Sequence, residues 1–261
     1  MAKTLLMAKN AAEAIDAKIA SAAFLAGGTE VNRLGSTVEA ETLISLKKCE
    51  GLNSIKKDGD KVHIGSMCTF QDIVESEDVP AYLKEAALFM ASRTKRNMAT
   101  IGGNIAARRS DSYLLPVLCA VDAELSLLTG DLEESKNINL YINEENDDSL
   151  ITGITVPESV QVASKRYANT AQSHAVITMS AASTAECVKL AVAVKNTGIL
   201  SFNLSSSGRL TEEAAVAFFK NYEIKDIEDD MFGSVDYKRY LLGITAYDLC
   251  KQLIAESGKE V

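Results

Sequence analysis

Apolar positions fall in short runs along this chain, and their period changes from one stretch to the next. Lys61-Val-His-Ile-Gly65 alternates, as a strand with one buried face does, with Gly59 as the turn before it and His63 pointing outward. Ala22 to Ala26 and Thr42-Leu-Ile-Ser-Leu46 are short apolar strands, and the first runs into Gly27-Gly28. Residues 10–20 predict a helix, because Ala11, Ala12, Ala14, Ile15, Ala17, Ile19 and Ala20 are good helix formers or apolar. Thr69 caps a helix start through Phe70 to Val74, and Pro80 opens another that runs through Ala91. Leu114 to Ala120 is a buried helix, and Ala123 to Leu128 is a strand. Leu150 to Pro157 is another, and Pro157 ends it.

The pattern shifts near residues 157–163. Ala175 to Ala185 and Val188 to Val194 are long strands, Asn196-Thr-Gly198 is their hairpin turn, and Leu200 to Ser205 is a third strand. Thr211 caps a helix to Asn221, whose first turn holds Glu212 and Glu213. A final amphipathic helix covers Asp236 to Ala255. The expected architecture is α+β in two domains. The first spans residues 1–158; the second spans 159–261 and holds a three-stranded antiparallel sheet with helices.

Composition narrows the function classes. With 261 residues, 47% hydrophobic, the chain is long enough to bury a sizeable core. The N-terminal MAKTLLMAKNAAEA holds too short an apolar run for a signal peptide, and no later run approaches the ~20 apolar residues of a membrane helix. Cytoplasm is the expected compartment, with no membrane partner. A net charge of −9 without a basic stripe argues against nucleic acid. The five cysteines, Cys49, Cys68, Cys119, Cys187 and Cys250, form no C-x-x-C or iron–sulfur run and are expected as buried thiols. His63 and His174 lack acidic or cysteine partners at ligand spacing, so no metal site is expected. Residues 131–148 hold Asp131, Glu133, Glu134, Glu144, Glu145, Asp147 and Asp148 against Lys136 alone, a solvated face or loop.

The chemistry sits in two Gly-Gly motifs. Phe24-Leu-Ala-Gly-Gly-Thr-Glu-Val-Asn32 and Met98-Ala-Thr-Ile-Gly-Gly-Asn-Ile-Ala-Ala-Arg-Arg109 are each an apolar segment running into Gly-Gly and a small polar residue. Glycine lets the backbone turn tightly and approach a ligand, and successive N–H groups in such a turn make a donor nest for phosphate. Two nests suit the two phosphates of a dinucleotide. Neither motif is a G-x-G-x-x-G or a G-x-x-x-x-G-K-[ST] loop, so the site is neither Rossmann nor Walker. Against a net negative field, backbone donors suit a pyrophosphate better than a general basic surface does.

Ala26-Gly-Gly-Thr-Glu30 and Arg96-Asn-Met-Ala-Thr-Ile-Gly-Gly-Asn-Ile105, about 70 residues apart, resemble the two FAD-binding loops of the flavin subunits of molybdenum hydroxylases, the xanthine dehydrogenase and carbon monoxide dehydrogenase family. Ile64-Gly-Ser66, Pro116 to Leu125 and Ser234 to Tyr240 resemble further family segments in the right order. The resemblance covers nearly the whole chain. It implies a two-subdomain FAD-binding domain of the PCMH type before the C-terminal domain. It also implies FAD as cofactor, a partner subunit with the molybdenum cofactor, a 2Fe–2S partner subunit, and NAD or another final electron acceptor.

Carried over by residue, the resemblance places Leu25, Ala26, Gly27, Gly28, Thr29, Glu30 and Val31 along the FAD pyrophosphate, with the Glu30 carboxylate turned away to brace the loop. The second loop contributes Thr100, Ile101, Gly102, Gly103 and Asn104. Where the family has an adenosine-contacting Asp, this chain has Tyr113, with Asp111 two residues earlier. Lys165 falls where a cation near the flavin is frequent, and Arg166 is the alternative for that role. Met90, beside Phe89, falls where some relatives stack an aromatic ring on the flavin. Arg108 and Arg109 are open to three fates: phosphate, a partner subunit or solvent. No general acid, base or nucleophile is expected. The rival readings are a flavin-free scaffold, suggested by Tyr113, and a self-contained flavoprotein oxidoreductase.

Overall fold

The computed structural model describes residues 4–33, 36, 38–144, 148–184, 187–205 and 210–256. In chain order the elements begin β1 (Thr4–Met7), α1 (Ala11–Asp16), β2 (Ala22–Leu25), β3 (Thr42–Ser45), β4 (Ile55–Asp58), β5 (Lys61–Gly65) and α2 (Phe70–Glu75). They continue with α3 (Ala81–Leu88), α4 (Arg93–Arg96), α5 (Ile101–Ala106), α6 (Leu115–Ala120), β6 (Glu124–Thr129), β7 (Leu132–Asn137), α7 (Ile138–Tyr141) and β8 (Leu150–Pro157). The last are β9 (Val162–Tyr167), β10 (Ile177–Ser183), β11 (Cys187–Val194), β12 (Gly198–Ser205), α8 (Glu212–Asn221) and α9 (Val235–Glu256).

The chain divides into two compact units. The first comprises Met1–Pro80, Met90–Arg108 and Asp122–Glu158; the second comprises Ala81–Phe89, Arg109–Val121 and Ser159–Val261. One crossing thus falls between Glu158 and Ser159. Two segments from the first half, carrying α3 and α6, belong with the C-terminal residues.

The first unit has two subdomains. One is a parallel sheet of order β1-β3-β2. Its core joins Ala14 of α1 to Ala22, Ile44 and Leu46. The other is an antiparallel sheet of order β4-β5-β8-β6-β7. β5 buries Val62 and Ile64 and exposes Lys61 and His63, as its alternation predicts. His63 Nδ1 lies 2.8 Å from Thr155 Oγ1 of its cross-strand partner. Gly59 makes the β4–β5 turn at φ +60°. Thr69 caps α2 in a capping box with Asp72.

Two elements differ from the pattern-based expectation, and the acidic stretch takes its expected solvated form as a strand. α1 stops at Asp16, not near residue 20, because the chain must turn to enter β2, and Ile19 stands exposed. α3 ends at Leu88 and the short α4 follows. Ser92 caps α4 through Lys95 N, while Arg96 Nη1 donates to the carbonyls of Met90 (2.7 Å) and Ala91 (3.1 Å). The acidic stretch is an exposed edge strand, β7, followed by α7; Glu133 and Glu134 remain solvated there, and charges on an edge discourage pairing with other chains. Glu145 and Asp147 lie outside the described residues.

The second unit holds an antiparallel sheet of order β12-β11-β10-β9. The expected three strands are four. β9 was not legible because its Val-Ala-Ser-Lys-Arg-Tyr run carries a Lys-Arg pair and buries Ala163 alone. Ala185, the expected end of the strand that is β10, lies outside the described residues. α8 and α9 cover one face over Ile177, Met179, Ala181, Leu190, Val192 and Val194. α6, buried at every position, packs with α3 on the other face, against small residues such as Ala191 and Ala193. Asn196 (φ +63°) and Gly198 (φ +145°) form the β11–β12 turn. Thr211 caps α8 through Ala214 N.

One charge is buried on α9. Lys238 is 2% exposed, and its Nζ reaches Asp230 Oδ2 at 2.9 Å and donates to Glu228 O at 2.8 Å. Removing one partner of such a pair strands the other without water. Asp230→Ala is therefore expected to cost roughly 3 kcal/mol, and Asp230→Ala with Lys238→Met to recover most of it. Urea unfolding midpoints of the two variants test this; equal losses would contradict it.

Candidate functional site

Both Gly-Gly motifs fall in the first unit, and the fold presses them together. β2 ends at Leu25, and the chain turns through Ala26, Gly27, Gly28, Thr29, Glu30 and Val31. A Cβ on Gly27 would lie 1.6 Å from Met98 O, so only glycine allows this backbone-to-backbone approach. From the other side, the Cβ position of Gly103 is 3.6 Å from Ala26 Cβ. Gly28 is left-handed at φ +73°. Asn32 braces the turn, donating to Gly28 O from both N and Nδ2 at 3.0 Å.

The Glu30 carboxylate is paired within its own loop. Arg33 Nε lies 3.1 Å from each Glu30 oxygen, and its Nη2 is 2.7 Å from Oε1. The carboxylate braces the loop from its side. Among the described residues, the N–H groups of Gly27, Gly28, Thr29 and Val31 have no protein acceptor. Successive open donors around a left-handed glycine are a nest for an anion.

The second motif is different. Thr100 caps α5, and its Oγ1 accepts from Gly103 N at 3.2 Å while its carbonyl accepts from Asn104 N at 2.9 Å. Ile101 N donates to Cys68 O at 3.0 Å and Gly102 N to Ser66 O at 2.9 Å. Those donors are spent on the fold, because the Thr69–Thr100 bridge draws the start of α5 onto residues 66–70. The expected pair of nests is therefore one nest, on the first loop, resting on a second loop that supplies its support and the half-buried Asn104.

Tyr113 and Lys165 lie in the second unit, on opposite faces of its sheet. Lys165 is on the α9 face, where its Nζ meets Asp248 Oδ2 at 2.6 Å. Arg166, its neighbour on β9, points the other way, with its guanidinium 5.4 Å from the Tyr113 ring centroid. Burial raises the Tyr113 phenol pKa, and Arg166 opposes the shift. Asp111 is a buried hub: Arg109 reaches it at 2.8 and 2.7 Å, and His174 Nδ1 at 3.0 Å. Burial would raise its pKa, but hydrogen bonds and charge from His174 and Arg109 hold it well below the usual carboxylate range. His174 thus has an acidic partner, 63 positions away, which its sequence neighbourhood does not show.

Arg108 and Arg109 meet a fourth fate, since groups of this chain take both. Arg108, in the left-handed region at φ +44°, stacks over Tyr141 at 4.1 Å and donates to Glu144 O. Arg109 serves Asp111. Met90 and Phe89 are half-buried. Among the described residues, no three His, Cys, Asp or Glu side chains group as a metal site, and Cys49, Cys68, Cys119 and Cys250 are buried thiols outside any disulfide. Cys187 is half-buried.

Residues 2–159, which include both Gly-Gly motifs, match the family described as the FAD binding domain in molybdopterin dehydrogenase. The chain belongs to this family. Its cofactor is FAD, and it is the FAD-binding subunit of an oxidoreductase of the molybdenum hydroxylase type. The uncharacterized protein YgfM of Escherichia coli (strain K12) is 32% identical over 241 residues, 88% of each chain. Two solved structures share the fold across 98% of both chains with a TM-score of 0.85: a carbon monoxide dehydrogenase from Hydrogenophaga pseudoflava at 20% identity, and quinoline 2-oxidoreductase from Pseudomonas putida 86 at 15%. No helix among the described residues is long and apolar enough to cross a membrane.

The first loop of this FAD-binding domain fits a diphosphate: its donors are open, its carboxylate is turned to Arg33, and a left-handed glycine bares the backbone. Sequence reading missed Arg33, although the Glu30–Arg33 spacing of three is a pairing signal. It also missed the Met98 carbonyl, for which no sequence signal exists.

Gly27→Ala drives a Cβ into backbone and is expected to cost at least the 1–3 kcal/mol typical of overpacking, about the same as losing the loop contact, and to release FAD. Gly28→Ala carries about 1–2 kcal/mol of left-handed strain, and its Cβ would meet the Asn32 Nδ2 at 3.0 Å, the end of a side chain that can give, so it should stay folded and hold FAD more weakly. Melting temperature and the flavin-to-protein absorbance ratio separate the two; a Gly27→Ala variant as stable as its parent would refute the contact.

Because the folded-state pKa of Asp111 is depressed, its contribution to stability is full above the unfolded value of about 3.9 and is lost as pH falls below it. Asp111→Asn should therefore be less stable at neutral pH, and its unfolding midpoint should fall less than the parent's between neutrality and strong acid. Parallel acid limbs would count against the hub.

Proposed function

We propose that this chain is the electron-transfer subunit of a xanthine dehydrogenase-like molybdenum hydroxylase. In this reading a separate molybdenum-cofactor subunit oxidises the substrate, a 2Fe–2S subunit delivers the electrons, and NAD or another acceptor takes them from this subunit. The observation that carries it is the open donor nest of Gly27, Gly28, Thr29 and Val31, locked on Met98 inside the family-matching segment. The scattered, mostly buried cysteines support separate chains for the iron–sulfur centre.

When bound, FAD supplies the redox chemistry; this chain's residues position it and set its field. The N–H groups of the first loop hold the diphosphate, with Leu25 and Ala26 leading into the turn and Thr29 adding a hydroxyl. Glu30 keeps its charge on Arg33 and away from the phosphates. Thr100, Ile101, Gly102 and Gly103 fix the height of the loop above α5, and Asn104 offers an amide that both donates and accepts. Tyr113 takes the adenosine end in place of the family's Asp. Lys165, paired with Asp248 Oδ2 at 2.6 Å, is the cation proposed for the flavin, with Arg166 as the alternative.

The test is a visible absorption spectrum of the purified chain, with the released flavin identified, followed by co-expression with candidate molybdenum and iron–sulfur subunits. Stoichiometric FAD and co-purification of molybdenum and iron are expected. A colourless chain that refuses added FAD would establish the scaffold reading instead. Substrate turnover by the isolated chain would establish a self-contained oxidoreductase.

A further inference from the structure

β12 is the last strand of the C-terminal sheet. β11 takes one of its edges, and among the described residues no strand takes the other. An open edge offers N–H and C=O groups to any extended chain, and proteins normally blunt it with charge. This molecule does so elsewhere. β7 carries Glu133, Glu134 and Lys136, and β9, at the opposite edge of the same sheet, carries Lys165 and Arg166. β12 reads Gly-Ile-Leu-Ser-Phe-Asn-Leu-Ser, with no charge and no proline over 8 residues. β1 is uncharged as well, but it has only 4.

The helix beside that edge is open too. Leu200, Phe202 and Leu204 of β12 pack against the core beneath α8 and α9. The Phe202 ring centroid lies 5.9 Å from that of Phe218 and 5.1 Å from that of Tyr222, so α8 stands over β12. Phe218 and Tyr222 are nevertheless 44% and 38% exposed, and Ala214, Ala217 and Asn221 beside them are exposed as well. Aromatic side chains in water above an uncharged strand edge mark an interaction surface.

We propose that the occupant is a second copy of this chain, with β12 paired to β12 antiparallel about a two-fold axis normal to the sheet. The two 4-stranded sheets then form one, with α8 and α9 of both copies on the same face. In an antiparallel pair, directly opposed side chains share a face. The register that sets Phe202 opposite its own counterpart sets Leu200 opposite Leu204, so the apolar side chains stay under the helices. Strands lie about 4.8 Å apart, so helices above the two edge strands come to roughly 10 Å, the contact distance of packed helices. Ala214 and Ala217 permit that approach. The same axis makes the two α8 helices antiparallel. Glu213 in the first turn and Lys220 in the last stand two turns apart on one flank, so each copy's Glu213 lies toward the other's Lys220. The edge is thus self-complementary in backbone, apolar side chains and charge. The pairing uses residues of the second unit alone and does not depend on bound flavin.

The test is sedimentation equilibrium of the full chain across the micromolar range. A reversible monomer–dimer equilibrium is expected, the dimer having twice the 28.0 kDa of one chain. Ala217→Glu and Asn203→Lys, both at exposed positions, should each weaken it at least about tenfold and leave the circular dichroism spectrum unchanged. Lys220→Glu should weaken it by repulsion, and Glu213→Lys added to Lys220→Glu should restore it, a reversal that loss of fold cannot mimic. Glu133→Lys, on the charged edge β7, should associate like the parent. Hydrogen exchange should slow at the β12 amides as the dimer forms. A monomer at every concentration, or a dimer indifferent to both Ala217→Glu and Asn203→Lys, overturns the proposal. So does protection of β12 only when molybdenum or iron–sulfur subunits are bound, which would give the edge to another subunit.

Discussion

Two backbones touch where Gly27 meets the carbonyl of Met98, and much of the first unit's site follows from that contact. It fixes the height of the first loop over the second, because no side chain stands between them. With its base set, the loop turns at the left-handed Gly28 and leaves the N–H groups of Gly27, Gly28, Thr29 and Val31 without a protein acceptor among the described residues. Polar backbone normally finds a partner inside the protein. Here a run of open donors is braced by Asn32 and by the Glu30–Arg33 pair, a geometry that suits an anion.

The second motif shows the complementary use of the same residues. Its glycines allow α5 to seat on Ser66, where a Cβ on Gly102 would lie 2.6 Å from Ser66 Cβ. Its N–H groups then close onto Ser66, Cys68 and Thr100. One Gly-Gly pair therefore keeps its donors open and the other spends them on the fold. The division of labour arises from what lies beneath each: the first loop leaves the edge of a parallel sheet, while the second is bridged to the start of α2.

Electrostatics follow the same economy. A chain this acidic cannot attract a dinucleotide through its overall field, so donors must be local. The first unit uses uncharged backbone and ties its acid, Glu30, to an arginine. The second gathers Arg109 and His174 around Asp111.

The sequence by itself determined the elements whose signals are local. The alternation of β5, the caps at Thr69 and Thr211, the Asn196–Gly198 turn and the buried Leu115–Ala120 helix each depend on residues a few positions apart. The two Gly-Gly loops were legible for the same reason, as was the outward face of His63. Only the tertiary structure decided what depends on distant partners. Neither the pairing of Asp111 with His174, nor the Met98 carbonyl under Gly27, nor the placing of α3 and α6 with the C-terminal residues leaves a mark in local spacing. The same holds for which glycine pair keeps its donors open, and for which of Lys165 and Arg166 reaches Tyr113. The physical reason is that a side chain's type and its period along an element are properties of neighbours in sequence, whereas satisfaction of a donor or a charge is a property of neighbours in space.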